Sequence, residues 1–303
     1  MTWRSLCLLA AALLVLPCGL AERSRAEHES PPHANAAVHP LLDELHSEDL
    51  GERVAAAKAL RELGPVAWPA IPALTEALAD PSVAVRKSAA GALGGIGPAA
   101  EDAVPTLTRV LSDPHPHVRA WSAMALFEIG AGARPAAPAL LEMLEQDPNL
   151  RSRSWAASAL PRIAAAPELA VPALMRASTT DESEEVRAAA VLSLEKYGLE
   201  AGRRGAVDAL IAALSDPHWK VRGNAACALP EMGNSAQRAL SPLAASLRDD
   251  APYVRGCAVR ALGELGTMAR DHSHEVAPLL EDEDEHVRRQ AEIAFERLRR
   301  NRH

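Results

Sequence analysis

The apolar residues of this chain follow the period of an α-helix. In the segment from Asp80 to Gly97, which reads DPSVAVRKSAAGALGGIG, apolar positions are separated by four, four and three residues. These positions are Val85, Ala89, Leu93 and Ile96. Such spacing keeps them on one helical face, so the segment predicts an amphipathic helix with one side buried.

The same pattern recurs eight times, at intervals of 33 to 35 residues. An alignment on its arginine places the copies at Arg53, Arg86, Arg119, Arg153, Arg187, Arg222, Arg255 and Arg288. A fixed period in this range is the signature of a helical solenoid. Each unit of a solenoid buries its apolar stripe by stacking on its neighbours. The sequence therefore predicts one elongated array.

Each copy carries its own start and stop signals for this helix, which we call helix B. The residues four before the arginine are Asp49, Ser82, His115, Asn149, Ser183, His218, Ala251 and Asp284, of which five are good N-caps. Glycines follow the helix at 64, 97, 130, 198, 233 and 266, where a left-handed residue is favoured. In the fourth copy Ala164 replaces the glycine, and Pro161 is expected to end or kink the helix. A shorter apolar segment with an early proline precedes each helix B and predicts a first helix, helix A.

The consensus A–x–L–DPxxxVRxxAAxALGxIG resembles the HEAT repeat, and in particular the short HEAT-like repeats of phycobilin lyases. The resemblance covers about residues 38 to 299. It implies an all-α, right-handed α–α superhelix (a HEAT-like solenoid) of about eight helix pairs. It also implies that aspartate and arginine columns of stacked repeats hydrogen-bond along the array as a structural ladder. The ladder residues are Asp80, Arg86, Asp113, Arg119, Asp147, Arg153, Asp181, Arg187, Asp216, Arg222, Asp249, Arg255, Asp282 and Arg288.

The first repeat departs from the aspartate column. Ser47 stands six residues before Arg53, where the other repeats carry aspartate. We therefore expect Arg53 to lack a carboxylate partner and to contribute less to stability than Arg119.

The N-terminal residues predict an export signal. Arg4 precedes an apolar run from Leu6 to Leu16 that is too short to span a bilayer, and small residues follow at a cleavage position. We expect a cleavable signal peptide over 1–21, a flexible leader over 22–38 and the solenoid over 39–303. The protein would then be exported, periplasmic or extracellular. A lipoprotein is disfavoured because Pro17 precedes Cys18, and an uncleaved anchor is a further alternative.

Composition and charge narrow the function classes. Aromatic residues make up 3% of the chain, so alanine and leucine supply the core. The net charge of −8 disfavours a nucleic-acid partner and favours a basic or neutral protein surface. No later segment is apolar enough to cross a membrane.

Candidate chemistry is sparse, and we expect no cofactor. The sequence has no GxSxG, P-loop or HExxH motif. Deoxyhypusine hydroxylase, built on related repeats, binds two irons through several His–Glu pairs, whereas this chain offers only His274–Glu275 outside the leader. The cluster of Asp271, His272, His274 and Glu275 precedes the acidic residues 281–286; a divalent-cation site or a solvated acidic turn would explain it.

Two cysteines fall on B helices of neighbouring repeats. Cys227 lies five residues after its arginine, and Cys257 lies two after its own. Packed helices are about 8–10 Å apart, whereas a disulfide needs Cα atoms within about 7 Å. We expect two small thiols, with a disulfide as the alternative.

The more informative candidate is a surface. The column two residues after the arginine varies, and it holds Trp121 and Trp155 in consecutive repeats, with Met124 one turn away. Trp219 is expected in the A–B turn of the sixth repeat. The resemblance places B helices on the concave side, where these residues would either pack between helices or anchor a protein partner. We predict a non-catalytic exported scaffold; the alternative is an enzyme subunit or cofactor-handling protein of the lyase or hydroxylase type.

Overall fold

The computed structural model describes residues 32–300, and all regular structure in this range is helical. The α-helices in chain order are α1 (Pro32–Leu45), α2 (Leu50–Leu63), α3 (Ile71–Ala77), α4 (Val83–Ile96), α5 (Val104–Val110), α6 (Pro116–Ile129), α7 (Ala137–Gln146), α8 (Leu150–Arg162), α9 (Pro167–Thr180), α10 (Glu184–Tyr197), α11 (Leu199–Arg203), α12 (Ala206–Ala213), α13 (Trp219–Ala228), α14 (Leu240–Ser246), α15 (Pro252–Leu265), α16 (Ser273–Val276) and α17 (Glu285–Arg300). Helix B of the eight repeats is α2, α4, α6, α8, α10, α13, α15 and α17. The remaining α-helices, apart from α11, are the A helices. The all-α solenoid of eight helix pairs is confirmed.

Connections between repeats contain more helix than the sequence indicates. Six 3₁₀ segments cover Gly64–Ala70, Gly97–Ala103, Gly130–Ala136, Leu229–Ala239, Gly266–His272 and Ala277–Glu281. Two of them, at Gly64 and Gly97, begin with Gly-Pro, a pair that stops helix B while its proline keeps a helical φ. The glycine-rich turn after the fifth repeat forms α11. Helix A is therefore a 3₁₀ turn followed by a short α-helix in most repeats.

The predicted domain boundaries fall mostly outside the structure. The signal peptide over 1–21 and the leader up to residue 31 lie outside the described residues. Helix α1 begins at Pro32, so the boundary placed between leader and solenoid at residue 38 falls inside this helix. Within residues 32–300, no helix combines the length and apolarity that crossing a bilayer requires.

Every helix B begins immediately after the predicted N-cap residue. Asn149 is a direct cap, since its Oδ1 accepts the N–H groups of Arg151 and Ser152 at 3.1 and 3.2 Å. Ser82 makes no such bond through its side chain. Instead, Asp80 Oδ1 accepts the backbone N–H of Ser82 at 2.7 Å. The aspartate column thus braces the turn that leads into helix B.

The closing glycines adopt positive φ, but not the left-handed helical conformation that we expected. Gly97 has φ 74° and ψ −138°, in the mirror image of the β region, which side chains other than glycine rarely enter. Ala164 also has a positive φ, 54°, and is the only described non-glycine residue that does. Helix α8 ends one residue after Pro161, as the proline predicts.

The core is a continuous column of small and medium side chains. Seven residues after the arginine stands a leucine in seven repeats, and Leu93, Leu126 and Leu160 are fully buried. Neighbouring B helices approach closely because their contacts are glycine and alanine: a Cβ on Gly94 would lie 3.1 Å from the Cα of Ala125. Successive B helices stack directly on one another along the array. The resemblance to HEAT repeats places this layer of B helices on the concave side.

Candidate protein-binding surface

The arginine ladder fixes how one helix B sits on the next. Arg119 Nε and Nη2 donate to the two carboxylate oxygens of Asp147, in the following repeat, at 2.6 and 2.8 Å. Its Nη1 donates to the backbone carbonyls of Asp113 and Pro114, in its own repeat. Each ladder arginine from Arg53 to Arg255 thus joins two repeats. The inter-repeat pairs are Arg53–Asp80, Arg86–Asp113, Arg119–Asp147, Arg153–Asp181, Arg187–Asp216, Arg222–Asp249 and Arg255–Asp282.

These contacts favour the ionised form of several ladder carboxylates. Burial by itself raises the pKa of Asp147, but hydrogen bonds from Arg119 and from the N–H of Asn149 outweigh it. The pKa of Asp147 therefore lies below its ordinary value. The same balance lowers the pKa of Asp113, Asp216 and Asp249. Each such carboxylate stabilises the folded state as an anion.

The direction of the ladder overturns our expectation for its first member. Arg53 has a carboxylate partner, Asp80 of the second repeat, at 2.9 Å. The arginine without a described carboxylate is Arg288, at the other end, which donates only to the carbonyls of Asp282 and Glu283. For the six arginines from Arg86 to Arg255, the sequence places an aspartate both six residues before and 27 to 29 residues after the arginine. Only the structure shows that the second supplies the carboxylate.

Trp121 lies across a gap left by a glycine. A Cβ on Gly91 would approach the ring of Trp121 to 2.9 Å, so the ring fits because this position has no side chain. The guanidinium of Arg61 lies 5.0 Å from the centroid of the same ring. Trp121 thereby contacts two preceding repeats and remains half-buried. It both packs against the core edge and presents part of its ring to solvent.

Trp155 makes a similar contact between the third and the fourth repeat. Its ring meets that of Phe127 edge-to-face, with centroids 5.8 Å apart, and the guanidinium of Arg162 lies 5.7 Å from the Phe127 centroid. Trp155, Phe127 and Met124 are all half-buried. Phe127 was not among the predicted surface residues, although its position eight after Arg119 corresponds to that of Arg61 in the first repeat.

Trp219 is the first residue of α13 and not a turn residue as expected. It is 41% exposed, and its ring contacts that of Tyr253, itself 44% exposed, at 5.4 Å. The Tyr253 hydroxyl is 2.9 Å from Asn224 Oδ1, to which it donates. This second aromatic pair lies on repeats 6 and 7, and sequence reasoning missed Tyr253.

Cys227 and Cys257 form a disulfide, with Cα atoms 5.2 Å apart. Our preference for two free thiols was wrong, because it assumed the usual spacing of about 8–10 Å between packed helices. In the structure, the residue five positions after the arginine of one repeat contacts the residue two positions after the arginine of the next repeat. Gly91 and Trp121 have the same relation. Cysteines in these two columns therefore meet across neighbouring B helices.

The cluster near residue 271 divides into local pairs. His272 Nδ1 lies 2.8 Å from Glu275 Oε1, and His274 Nδ1 donates to the backbone carbonyl of Asp271. Across the described part of the chain, no three His, Cys, Asp or Glu side chains are grouped so as to hold a metal ion. The chemistry that the B-helix face does bring together is aromatic rings beside guanidinium groups, which suits binding.

Comparison with known proteins agrees with this architecture. The family model for HEAT repeats matches residues 38–101, 71–161, 137–204, 171–263 and 207–296. The X-ray structure of YibA from Escherichia coli is similar, with a TM-score of 0.61 and 21% identity over 88% of this chain and 96% of that one. A crystal structure of an engineered protein has a TM-score of 0.60 and 23% identity, covering 86% of this chain and 78% of that one.

At these identities the two structures show the fold alone, and no curated protein matches the chain. The family matches, by contrast, follow one another from residue 38 to residue 296 with overlaps, and therefore cover seven B helices and most of the eighth. On this evidence, the chain belongs to the HEAT-repeat family.

Proposed function

We propose that this protein is a non-catalytic scaffold that binds another protein on the concave face of its B helices. The observation that carries the proposal is the aromatic group on repeats 3 and 4. Trp121, Phe127 and Trp155 are half-buried on the face of the B helices that points away from the core, in a protein whose core uses alanine and leucine. Large aromatic side chains on a surface commonly anchor protein interfaces.

The way these rings are held favours binding. Trp121 rests on Gly91 and beneath Arg61, and Trp155 rests against Phe127. A ring already fixed in place loses little conformational entropy when a partner covers it. The contacts therefore support a preorganised binding surface.

We further propose that the protein is exported. Two observations support this: the signal-like pattern over residues 1–21, and the Cys227–Cys257 disulfide, since disulfides persist mainly in oxidising compartments. The test is fractionation of cells expressing the native chain, with N-terminal sequencing of the recovered protein. Recovery in the cytosol with an intact N-terminus would refute export.

The binding proposal is tested with the double variant Trp121→Ala/Trp155→Ala. A partner is first isolated by pull-down from the exported fraction, and its affinity for purified protein is then measured. Binding should fall at least tenfold, while the matched variant Trp219→Ala/Tyr253→Ala keeps it. Because Trp121 also packs on Gly91, affinity is referred to the folded fraction measured by circular dichroism. Unchanged binding per folded molecule would mean that the partner surface lies elsewhere.

The alternative, an enzyme subunit or cofactor-handling protein of the lyase or hydroxylase type, rests on the resemblance of the repeats alone. Bound metal or a visible chromophore in the purified protein would favour it over the scaffold.

A further inference from the structure

The concave face of the first four repeats carries positive charges that are not neutralised within the array. These side chains are Lys58, Arg61, Lys87, Arg151 and Arg162. None of them forms an ion pair with a carboxylate within residues 32–300. Only two acidic side chains, Glu62 and Glu128, accompany them on this face.

The same face of the last four repeats differs. Its cations include Lys196, Arg260 and Arg289, which lie 3.7, 3.6 and 2.6 Å from Glu195, Glu264 and Glu285. Positive and negative groups thus compensate each other there. The excess of positive charge is confined to the half of the array that also holds Trp121 and Trp155.

Aromatic rings and unpaired cations are interleaved on this surface. Arg61 covers Trp121, and Arg162 covers Phe127 beside Trp155. A guanidinium stacked on a ring still directs its N–H groups outward, where they can donate to a carboxylate. The surface therefore offers apolar anchoring sites with carboxylate donors next to them.

We propose that this surface, formed by Arg61, Trp121, Phe127, Trp155 and Arg162, binds an acidic protein segment that carries apolar anchor residues. The inference rests on the proposed scaffold function and names the chemistry of its partner. It differs from the expectation drawn from the net charge, because that charge of −8 describes the whole chain and not this face. Neighbouring helices are about 8–10 Å apart, so four repeats span about 25–30 Å. About nine extended residues cover that distance.

A nucleic acid or an anionic membrane is a weaker match to the same charges. Binding of polyanions depends on neutralising many phosphates, whereas the B-helix face of the first four repeats has five cations and two glutamates, and the whole chain is acidic. Two half-buried tryptophans with flanking cations instead match a segment with a few apolar and a few acidic side chains.

The test selects ligands without knowledge of the natural partner. A displayed library of random 16-residue peptides is selected on the full chain. The strongest binder is synthesised with a fluorophore, together with an analogue in which lysine replaces its acidic residues. Affinity is measured for wild type, for Arg61→Glu/Arg162→Glu and for the control Arg260→Glu/Arg289→Glu. Both variants change the net charge equally on the same face, and circular dichroism confirms that each is folded.

We expect the selected peptides to be acidic with apolar residues. Affinity should fall at least tenfold in Arg61→Glu/Arg162→Glu, less than twofold in the control, and at least tenfold for the lysine analogue on wild type. Selection of basic peptides, selection of none, or equal affinity for both variants would overturn the inference. So would tighter binding of a 20-nucleotide single strand or of phosphatidylglycerol vesicles. Basic peptides that lose binding in Trp121→Ala/Trp155→Ala would overturn the acidic partner yet retain the scaffold.

Discussion

Truncation of ladder arginines tests whether the ladder stabilises the array in the direction observed. In Arg119→Ala, the carboxylate of Asp147, only 5% exposed, loses both guanidinium donors and keeps the backbone N–H of Asn149. In Arg288→Ala, two backbone carbonyls lose a donor and no described carboxylate does. Arg119→Ala should therefore cost more stability than Arg288→Ala.

The expected magnitudes follow from these contacts. Removing one partner of a buried ion pair costs about 3–5 kcal/mol, because the other charge stays buried. The Arg119 side chain is 13% exposed, so water reaches part of the pair, and a cost of about 3 kcal/mol is expected. Losing the carbonyl contacts of Arg288 should cost about 1 kcal/mol. Arg53→Ala should resemble Arg119→Ala, because Arg53 binds Asp80.

The assay is urea unfolding of the three variants and wild type at pH 7, repeated down to pH 3. A carboxylate whose pKa is lowered in the folded state adds stability above its unfolded pKa, and this stability is lost as pH falls through the folded pKa. Asp147 behaves in this way relative to its ordinary value of 3.8. The gap in unfolding free energy between wild type and Arg119→Ala should therefore narrow below about pH 4.

Two results would refute this reasoning. Equal losses for Arg119→Ala and Arg288→Ala at pH 7 would show that the inter-repeat carboxylate adds nothing. A gap that stays constant from pH 7 to pH 3 would show that the ionised form of Asp147 is not the source of the stability.

Three further predictions concern stability, each measured by urea unfolding. Ala164→Gly should stabilise by about 1 kcal/mol, because Ala164 has φ 54°, a region that costs side chains about 1–2 kcal/mol. Ser122→Ala should stabilise by about 0.5–1 kcal/mol, because this buried hydroxyl has no described hydrogen-bond partner and the other repeats carry alanine there. Reduction of Cys227–Cys257, which closes a loop over a sequence separation of 30, should destabilise by about 3–4 kcal/mol.

A change in the free energy of unfolding with the opposite sign would contradict each prediction. A destabilised Ala164→Gly would indicate that the alanine methyl makes contacts worth more than the backbone relief. A destabilised Ser122→Ala would indicate that its hydroxyl is hydrogen-bonded. For the disulfide, a Cys227→Ala/Cys257→Ala variant serves as control. If reducing agent also destabilises that variant, the loss of stability does not come from this disulfide.

The sequence predicts the start of every helix B and the end of most of them, because each such boundary has a local chemical cause. Asn149 marks a start through the hydrogen bonds that its side chain accepts, and Gly97 marks an end because a residue without a Cβ tolerates its positive φ. The 3₁₀ turns between repeats escaped prediction, since proline is compatible with either kind of helix. Whether such a segment forms a 3₁₀ turn or an α-helix depends on how helix A packs on the previous repeat.

Two of the contacts that sequence reasoning missed depend on the offset between neighbouring helices. Cys227 meets Cys257, and Gly91 meets Trp121, because column five of one repeat faces column two of the next. The period of the sequence gives the length of a unit but contains no information on this offset. The sequence alone therefore does not show that columns five and two of neighbouring repeats meet.

The one-way orientation of the ladder also bears on how such a chain changes in length. Excision of residues 81–113 would join Asp80 directly to Pro114. Arg53 would keep Asp80, and Arg119 would keep Asp147. A duplicated unit would be accepted in the same manner, whereas the first repeat, with Ser47, offers no carboxylate to a unit placed before it. Deletion or duplication of whole units can therefore shorten or lengthen the interior of the array one unit at a time. A unit added before the first repeat would not gain this inter-repeat ion pair.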